Sequence, residues 1–321
     1  MPEAARIVLL VTSPRLPAGL LTAAAWDLVR AWPVFAEAGS DQATALHAAG
    51  VTVTVVEPDP ELLIAALATH STVVWLAGAA GDEDFARRLG LRLAREPSLA
   101  ELELCYGSWD PPGARLLDAV AVMDRLAAPG GDPWKRQQTH ESLAPYLLEE
   151  SYEAYDAIVS HDLAALREEL GDVLLQVVLH ARLAEELPED ERWSVDDVAG
   201  GLVDKMVRRN PHVFAGEAVD GVEAIIDNWE RIKKQEKARD SVLDGIALSQ
   251  PALSLAAKVL QRASRAGLDV PLPDGADLGA TLLRLVARAR EDGLDPEALL
   301  RQAALGYADL VRTRESVGPA E

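Results

Sequence analysis

Residues 167–180 read Arg167-Glu168-Glu169-Leu170-Gly171-Asp172-Val173-Leu174-Leu175-Gln176-Val177-Val178-Leu179-His180, and they put acids into a stretch otherwise apolar enough for a core. On a helix turning about 100° per residue, Val173, Leu174, Leu175, Val177, Val178 and Leu179 cover nearly the whole circumference, the pattern of a helix buried on all sides. Glu169, Asp172, Gln176 and His180 nevertheless share a stripe of about 80° of arc. A buried carboxylate without a partner costs on the order of several kcal/mol, and neighbouring ones repel. A cation is therefore expected among them. His180 by itself reads as a packed core or interface histidine.

The preceding helical stretch carries the matching acids. With Glu149 as origin, Glu150 and Glu153 fall on the same side as Leu143, Tyr146 and Ala157, which is the side that would be buried. Glu150, Glu153, Glu169 and Asp172 together offer hard oxygen donors and no thiolate, which favours Mg²⁺, with Mn²⁺ as a substitute, over zinc. Cys105 is the only cysteine, so a disulfide within the chain and a Cys-based zinc site are both excluded.

Outward from these helices the chain changes character. Residues 6–13 (RIVLLVTS), 51–57 (VTVTVVE) and 72–77 (TVVWLA) are short, β-branched and almost continuously apolar, as buried parallel strands are. Helical stretches at 21–38 and 59–70 alternate with them, which predicts a small α/β layer over residues 1–110. A Pro/Gly cluster at 107–113 reads as a linker. From Ala114 onward Ala, Leu, Glu and Arg dominate at helical spacing, broken at 129–133, 188, 211, 251 and 271–275. The fold class expected is mainly α: an all-α helical bundle over 111–270, preceded by the small α/β domain and followed by a helical tail over 271–321.

The chain of 321 residues carries 31 Lys and Arg against 52 Asp and Glu, a net charge of −21. That balance argues against nucleic acid or an anionic membrane as a partner. No apolar run reaches the length of a membrane span, and 7–11 lacks a signal-peptide layout, so the expectation is a soluble, cytoplasmic protein. Residues 141–190 contain thirteen acids against two bases, Arg167 and Arg182, so about half of the net charge sits in the segment expected to hold a cation.

The ordered set Glu149-Glu150-x-x-Glu153 and Glu169-x-x-Asp172, separated by fifteen residues, resembles the signature of the MazG-type nucleoside triphosphate pyrophosphohydrolases. The resemblance extends through Trp134, Gln138-Thr139-His140-x-Ser142-Leu143, Arg209-Asn210-Pro211-His212-Val213-Phe214 and Trp229-Glu230-x-Ile232-Lys233, covering about half of the chain. It implies a MazG-like bundle and Mg²⁺-dependent hydrolysis of NTPs and dNTPs to a nucleoside monophosphate and pyrophosphate, a house-cleaning activity on the nucleotide pool. Glu150, Glu153, Glu169 and Asp172 take the metal-ligand positions, and Glu149 the place of the group that orients or deprotonates the attacking water. Lys205, Arg209, Trp229 and Lys233 match phosphate and nucleotide contacts; Lys205 and Arg209 are four apart on one helix face, and Trp229 and Lys233 repeat the spacing. Trp134 reads either as a nucleobase stacker or as a hydrophobic plug at the helix start. Where the family often has Cys-Pro-Trp-Asp, this chain has Asp132-Pro133-Trp134-Lys135.

The same resemblance implies a homodimer, and the all-round apolar second helix asks for more cover than one short bundle supplies. The tail loosely echoes a second bundle unit at 304–310 without its acids. The N-terminal layer faintly resembles a truncated tetrapyrrole-methylase-like domain but lacks its glycine-rich first loop, so no methyl-donor binding is expected and a structural or interaction role is. The alternatives are a pyrophosphatase narrow for one dNTP or a phosphoribosyl-ATP-like substrate, and a non-catalytic nucleotide-sensing protein.

Overall fold

The computed structural model describes residues 5–78, 81–216, 221–236 and 240–317, except for some side chains of residues 227–236 and that of 317. Its contacts divide the chain into two units, 1–201 and 202–321.

The first unit opens with five parallel strands: β1 Arg6–Val11, β2 Val34–Ala36, β3 Val53–Val55, β4 Thr72–Leu76 and β5 Glu101–Tyr106. Their order across the sheet is β3-β2-β4-β1-β5. Helices α1 Ala23–Ala31 and α2 Asp41–Ala48 cover one face, while α3 Pro60–Ala66 and α4 Glu83–Arg95 cover the other. Strand alternation produces the two cores. Val8 and Leu10 of β1 pack with Ala25, Val29 and Leu46, whereas Ile7 and Leu9 pack with Leu63, Phe85 and Leu89. Trp75 of β4 is fully buried against Phe85 (ring centroids 4.2 Å apart), and its indole N–H donates to Asp82 at 2.8 Å.

Several elements of this layer depart from the sequence expectation. The stretch 21–38 is not one helix: α1 stops at Ala31, and Pro33, which has no N–H to continue a helix, leads into β2. α2, α4 and β5 were not anticipated. β5 (ELELCY) is an edge strand: its Glu-Leu alternation has the period of a strand, but the segment is short and its side chains are largely exposed on both faces.

Residues 107–113 are held rather than loose. The Ser108 hydroxyl accepts from the Ser13 N–H at 3.0 Å, and the Ser13 hydroxyl donates to Asp110. Arg15 reaches Asp110 and also Asp118, its Nε and Nη2 lying 2.7 and 2.6 Å from the Asp118 carboxylate. Hydrogen bonding to Arg15, then to Arg115, holds the Asp118 carboxyl below the usual range.

Helices α5 Arg115–Ala127, α6 His140–Val159 and α7 Leu163–Ala184 complete this unit with the first part of α8 Val195–Arg209. Thr139 caps α6, its hydroxyl accepting the Ser142 N–H while the Ser142 hydroxyl accepts the Thr139 N–H; Asp162 caps α7. Leu143, Val178, Leu179 and Met123 form their common core. α7 is not buried all round as expected. Val178 and Leu179 are buried, but Leu170 and Val177 are exposed, because α5 and α6 cover only part of its circumference.

The second unit holds the rest of α8, then α9 Pro211–Phe214, α10 Gly221–Glu236, α11 Ala252–Arg265, α12 Leu278–Glu291 and α13 Pro296–Val317. α11, α12 and α13 pack on one another, with Ala280 and Val286 buried. No strand follows Tyr106 among the described residues. No helix of the described residues is long and apolar enough to cross a membrane.

Candidate functional site

α6 and α7 are antiparallel neighbours joined by the short turn at 160–162, and each presents a carboxylate every three or four residues toward the other. Glu150, Glu169 and Asp172 each bring one carboxylate oxygen to within 4.8 Å of the other two. All three side chains are half-buried. Glu153 stands close enough to Glu169 to accept a hydrogen bond from its protonated carboxyl. Glu149 and Glu153 are both exposed, so the expectation that Glu153 lies on the buried side of its helix fails. The face that α6 buries carries Leu143, Ala154 and Ala157, and Tyr146 lies outside it.

The electrostatics follow from that crowding. Desolvation, then the charges of Asp172, Glu153, Glu149 and Glu169, pushes the Glu150 carboxyl above its ordinary value of 4.5. Desolvation, then Glu153 and Asp172, does the same to Glu169. Residues 149–153 and 169–172 contribute no base, so nothing in that cluster offsets the mutual repulsion. Three oxygens at this spacing, all from carboxylates, suit a hard divalent cation, and the residues present fit one.

Trp134 enters the same unit from the turn after α5. Gly131 makes that turn possible: a Cβ there would lie 2.3 Å from the Leu126 carbonyl oxygen. Asp132 accepts the Trp134 N–H at 2.9 Å, and the Gln138 amide donates to the Trp134 carbonyl at 2.9 Å. The indole is exposed and meets Tyr146 edge to face, ring centroids 5.8 Å apart. Lys135, the departure from the family pattern, bends back between Asp132 (3.4 Å) and the Trp134 ring (5.4 Å to its centroid).

A histidine pair was not anticipated as a pair. Nδ1 of His140, at the start of α6, lies 2.7 Å from Nδ1 of His180 with the two rings parallel, and the Trp193 ring lies near-parallel to His140, centroids 6.1 Å apart. Burial, then the His140 charge, depresses the pKa of His180. Gln176 Oε1 and His180 Nε2 are buried without a hydrogen-bond partner. The signal was present in the polar stripe of α7, but His140 lies forty residues earlier and only the fold shows that it faces His180.

The expected basic residues belong to the second unit. Lys205 is half-buried on α8. Arg209, 9% exposed, ends that helix with its guanidinium 5.0 Å from the Trp229 ring centroid of α10. Lys233 falls within α10, and its side chain lies outside the described residues.

A family model described as the MazG nucleotide pyrophosphohydrolase domain matches residues 138–214. A 26.1 kDa uncharacterized protein of Streptomyces cacaoi is 49% identical over 68% of this chain and 89% of its own length. A nucleoside triphosphate pyrophosphohydrolase of Mycolicibacterium smegmatis is 48% identical over 64% of this chain, which spans 60% of that relative's length. The nucleoside triphosphate pyrophosphohydrolase/pyrophosphatase MazG of Thermotoga maritima is 35% identical over 62% of this chain and 85% of its own.

Proposed function

The chain belongs to the MazG family of nucleotide pyrophosphohydrolases, and from that premise we propose that it hydrolyses nucleoside triphosphates, ribo- or deoxyribo-, to a nucleoside monophosphate and pyrophosphate. The observation that carries this reading is the convergence of Glu150, Glu169 and Asp172 to one point between α6 and α7, with Glu153 beside Glu169. These four residues would hold Mg²⁺. When bound, the ion supplies charge neutralisation at the phosphates and a more acidic bound water.

The chain's own residues do the rest. Glu149, exposed at the edge of the cluster, orients the attacking water and takes its proton. Trp134, held edge-on by Tyr146, offers its exposed face to the nucleobase. Lys205, Arg209 and Lys233 neutralise the phosphates, and Trp229 braces Arg209. Residues 111–270 form the catalytic bundle in this reading, 1–110 a structural or interaction domain and 271–321 a helical tail. The protein works in the cytoplasm as a homodimer, which the exposed Leu170 and Val177 of α7 support.

The test is a panel of NTPs and dNTPs with Mg²⁺ and identification of the phosphate product. Pyrophosphate is expected; orthophosphate alone, or no turnover, overturns the proposal. Glu153→Ala and Asp172→Ala should each reduce turnover at least about a hundredfold while leaving the far-ultraviolet circular dichroism unchanged. Wild-type turnover in both would remove the metal assignment.

A further inference from the structure

The α/β layer contains a cavity that the hydrolytic reading does not use. It measures about 220 Å³ and lies at the carboxyl ends of β1, β2 and β4. In the sheet order the chain leaves β2 toward β3 on one side and leaves β4 toward β5 on the other. The crevice between β2 and β4 is therefore a topological switch point, the place where open parallel sheets bind ligands. Three loops wall it: the one after β1, the one after β2 and the end of β4. The first two are tied together, since the Gln42 amide oxygen accepts the Gly19 N–H at 2.8 Å.

Its chemistry is specific. Thr12 lines the cavity at 6% exposure, and its hydroxyl has no hydrogen-bond partner among the described residues. The residue is buried but the hydroxyl oxygen keeps access to the cavity, so it stands as an open acceptor and donor position there. Glu37, directly after β2, and Asp41, in the first turn of α2, line it as well, and among the described residues no Lys, Arg or His does. Arg15, the nearby base in the same loop, is engaged by Asp110 and Asp118. Two carboxylates without a base repel phosphate but accept hydrogen bonds from a vicinal diol. Leu16 and Leu76 supply apolar wall for a flat ring. The volume falls below the roughly 300 Å³ at which sites for larger cofactors begin.

We propose that this cavity binds an uncharged ribonucleoside, its ribose diol on Glu37 and Asp41, its remaining polar edge on Thr12 and its base against Leu16 and Leu76. An acid following the second strand, receiving a ribose hydroxyl, is the arrangement that parallel nucleotide-binding sheets use. The cavity would thus let the chain sense the dephosphorylated end of nucleotide breakdown without competing for triphosphates.

Isothermal titration calorimetry of the full chain in EDTA, with adenosine, guanosine, cytidine and uridine in turn, tests it. At least one should bind with one-to-one stoichiometry. Its 2′,3′-dideoxy form, Glu37→Gln and Thr12→Val should each weaken binding at least about tenfold, the effect of losing a hydrogen bond to a charged or buried group. Trp134→Ala should leave the affinity unchanged. The proposal is overturned if no ribonucleoside binds up to millimolar concentration. It is equally overturned if Trp134→Ala abolishes binding while Glu37→Gln preserves it, because the nucleoside would then occupy the bundle. Both variants alter exposed side chains, and turnover of NTPs with Mg²⁺ reports that the protein is otherwise intact in Glu37→Gln.

Discussion

At the scale of single residues the acidic cluster is under strain that a cation would relieve. Glu150 and Glu169 are both held above their ordinary value of 4.5. For a group raised in this way, stability is fully present below the unfolded-state value and is lost as pH rises through the folded-state value. The melting temperature of the metal-free wild type, relative to Glu169→Gln, should therefore fall as pH rises from about 4.5 through the raised values. Mg²⁺ should abolish that fall and displace the protons that remain, so titrations in two buffers of different ionisation enthalpy should show proton release. A pH-independent difference between wild type and Glu169→Gln would contradict the coupling. The residue types of this site were legible in the sequence, because acids inside an apolar helix need a partner whatever the fold. What Glu153 touches was not: a helical wheel places a residue by angle, but how far the neighbouring helix reaches round decides whether it is covered.

At the scale of elements, α6 and α7 were the clearest features of the sequence, since acids at helical spacing within long apolar stretches locate them. Their packing predicts unequal costs along α7. Leu179, 1% exposed, sits in the core with Leu143, so Leu179→Ala should cost about 2–5 kcal/mol by urea unfolding. Val177 lies on the uncovered side, and Val177→Ala should stay within about 0.5 kcal/mol in dilute protein. Equal costs would show that α7 is covered on both sides. The strands that escaped the sequence are short or exposed on both faces. β2 has three residues and follows a proline, too few to establish an alternation, and β5 exposes acids and leucines alike at the sheet edge. Both are strands because neighbours offer them backbone partners, which is a property of the sheet and not of the segment.

For the whole chain, the Arg15 contacts make the sheet and the start of α5 one mechanical piece within the first unit. Removing that guanidinium in Arg15→Ala should leave Asp110 held only by Ser13 and Asp118 only by Arg115 among the described residues, and make residues 107–113 the first site of limited proteolysis. An unchanged cleavage pattern would show that the Ser13 and Ser108 hydrogen bonds suffice. The strand order also has a consequence in time. β1 is synthesised well before its partners β4 and β5, with Arg6 opposite both Thr72 and Glu101. At roughly 5–20 residues per second, a nascent chain holds Ile7, Val8, Leu9 and Leu10 without their second partner for about 5–20 seconds. α6 and α7, contiguous in sequence, face no such delay. The α/β layer thus leaves an apolar strand unpaired for longer during synthesis than the α6–α7 pair does, and has more to gain from chaperone protection.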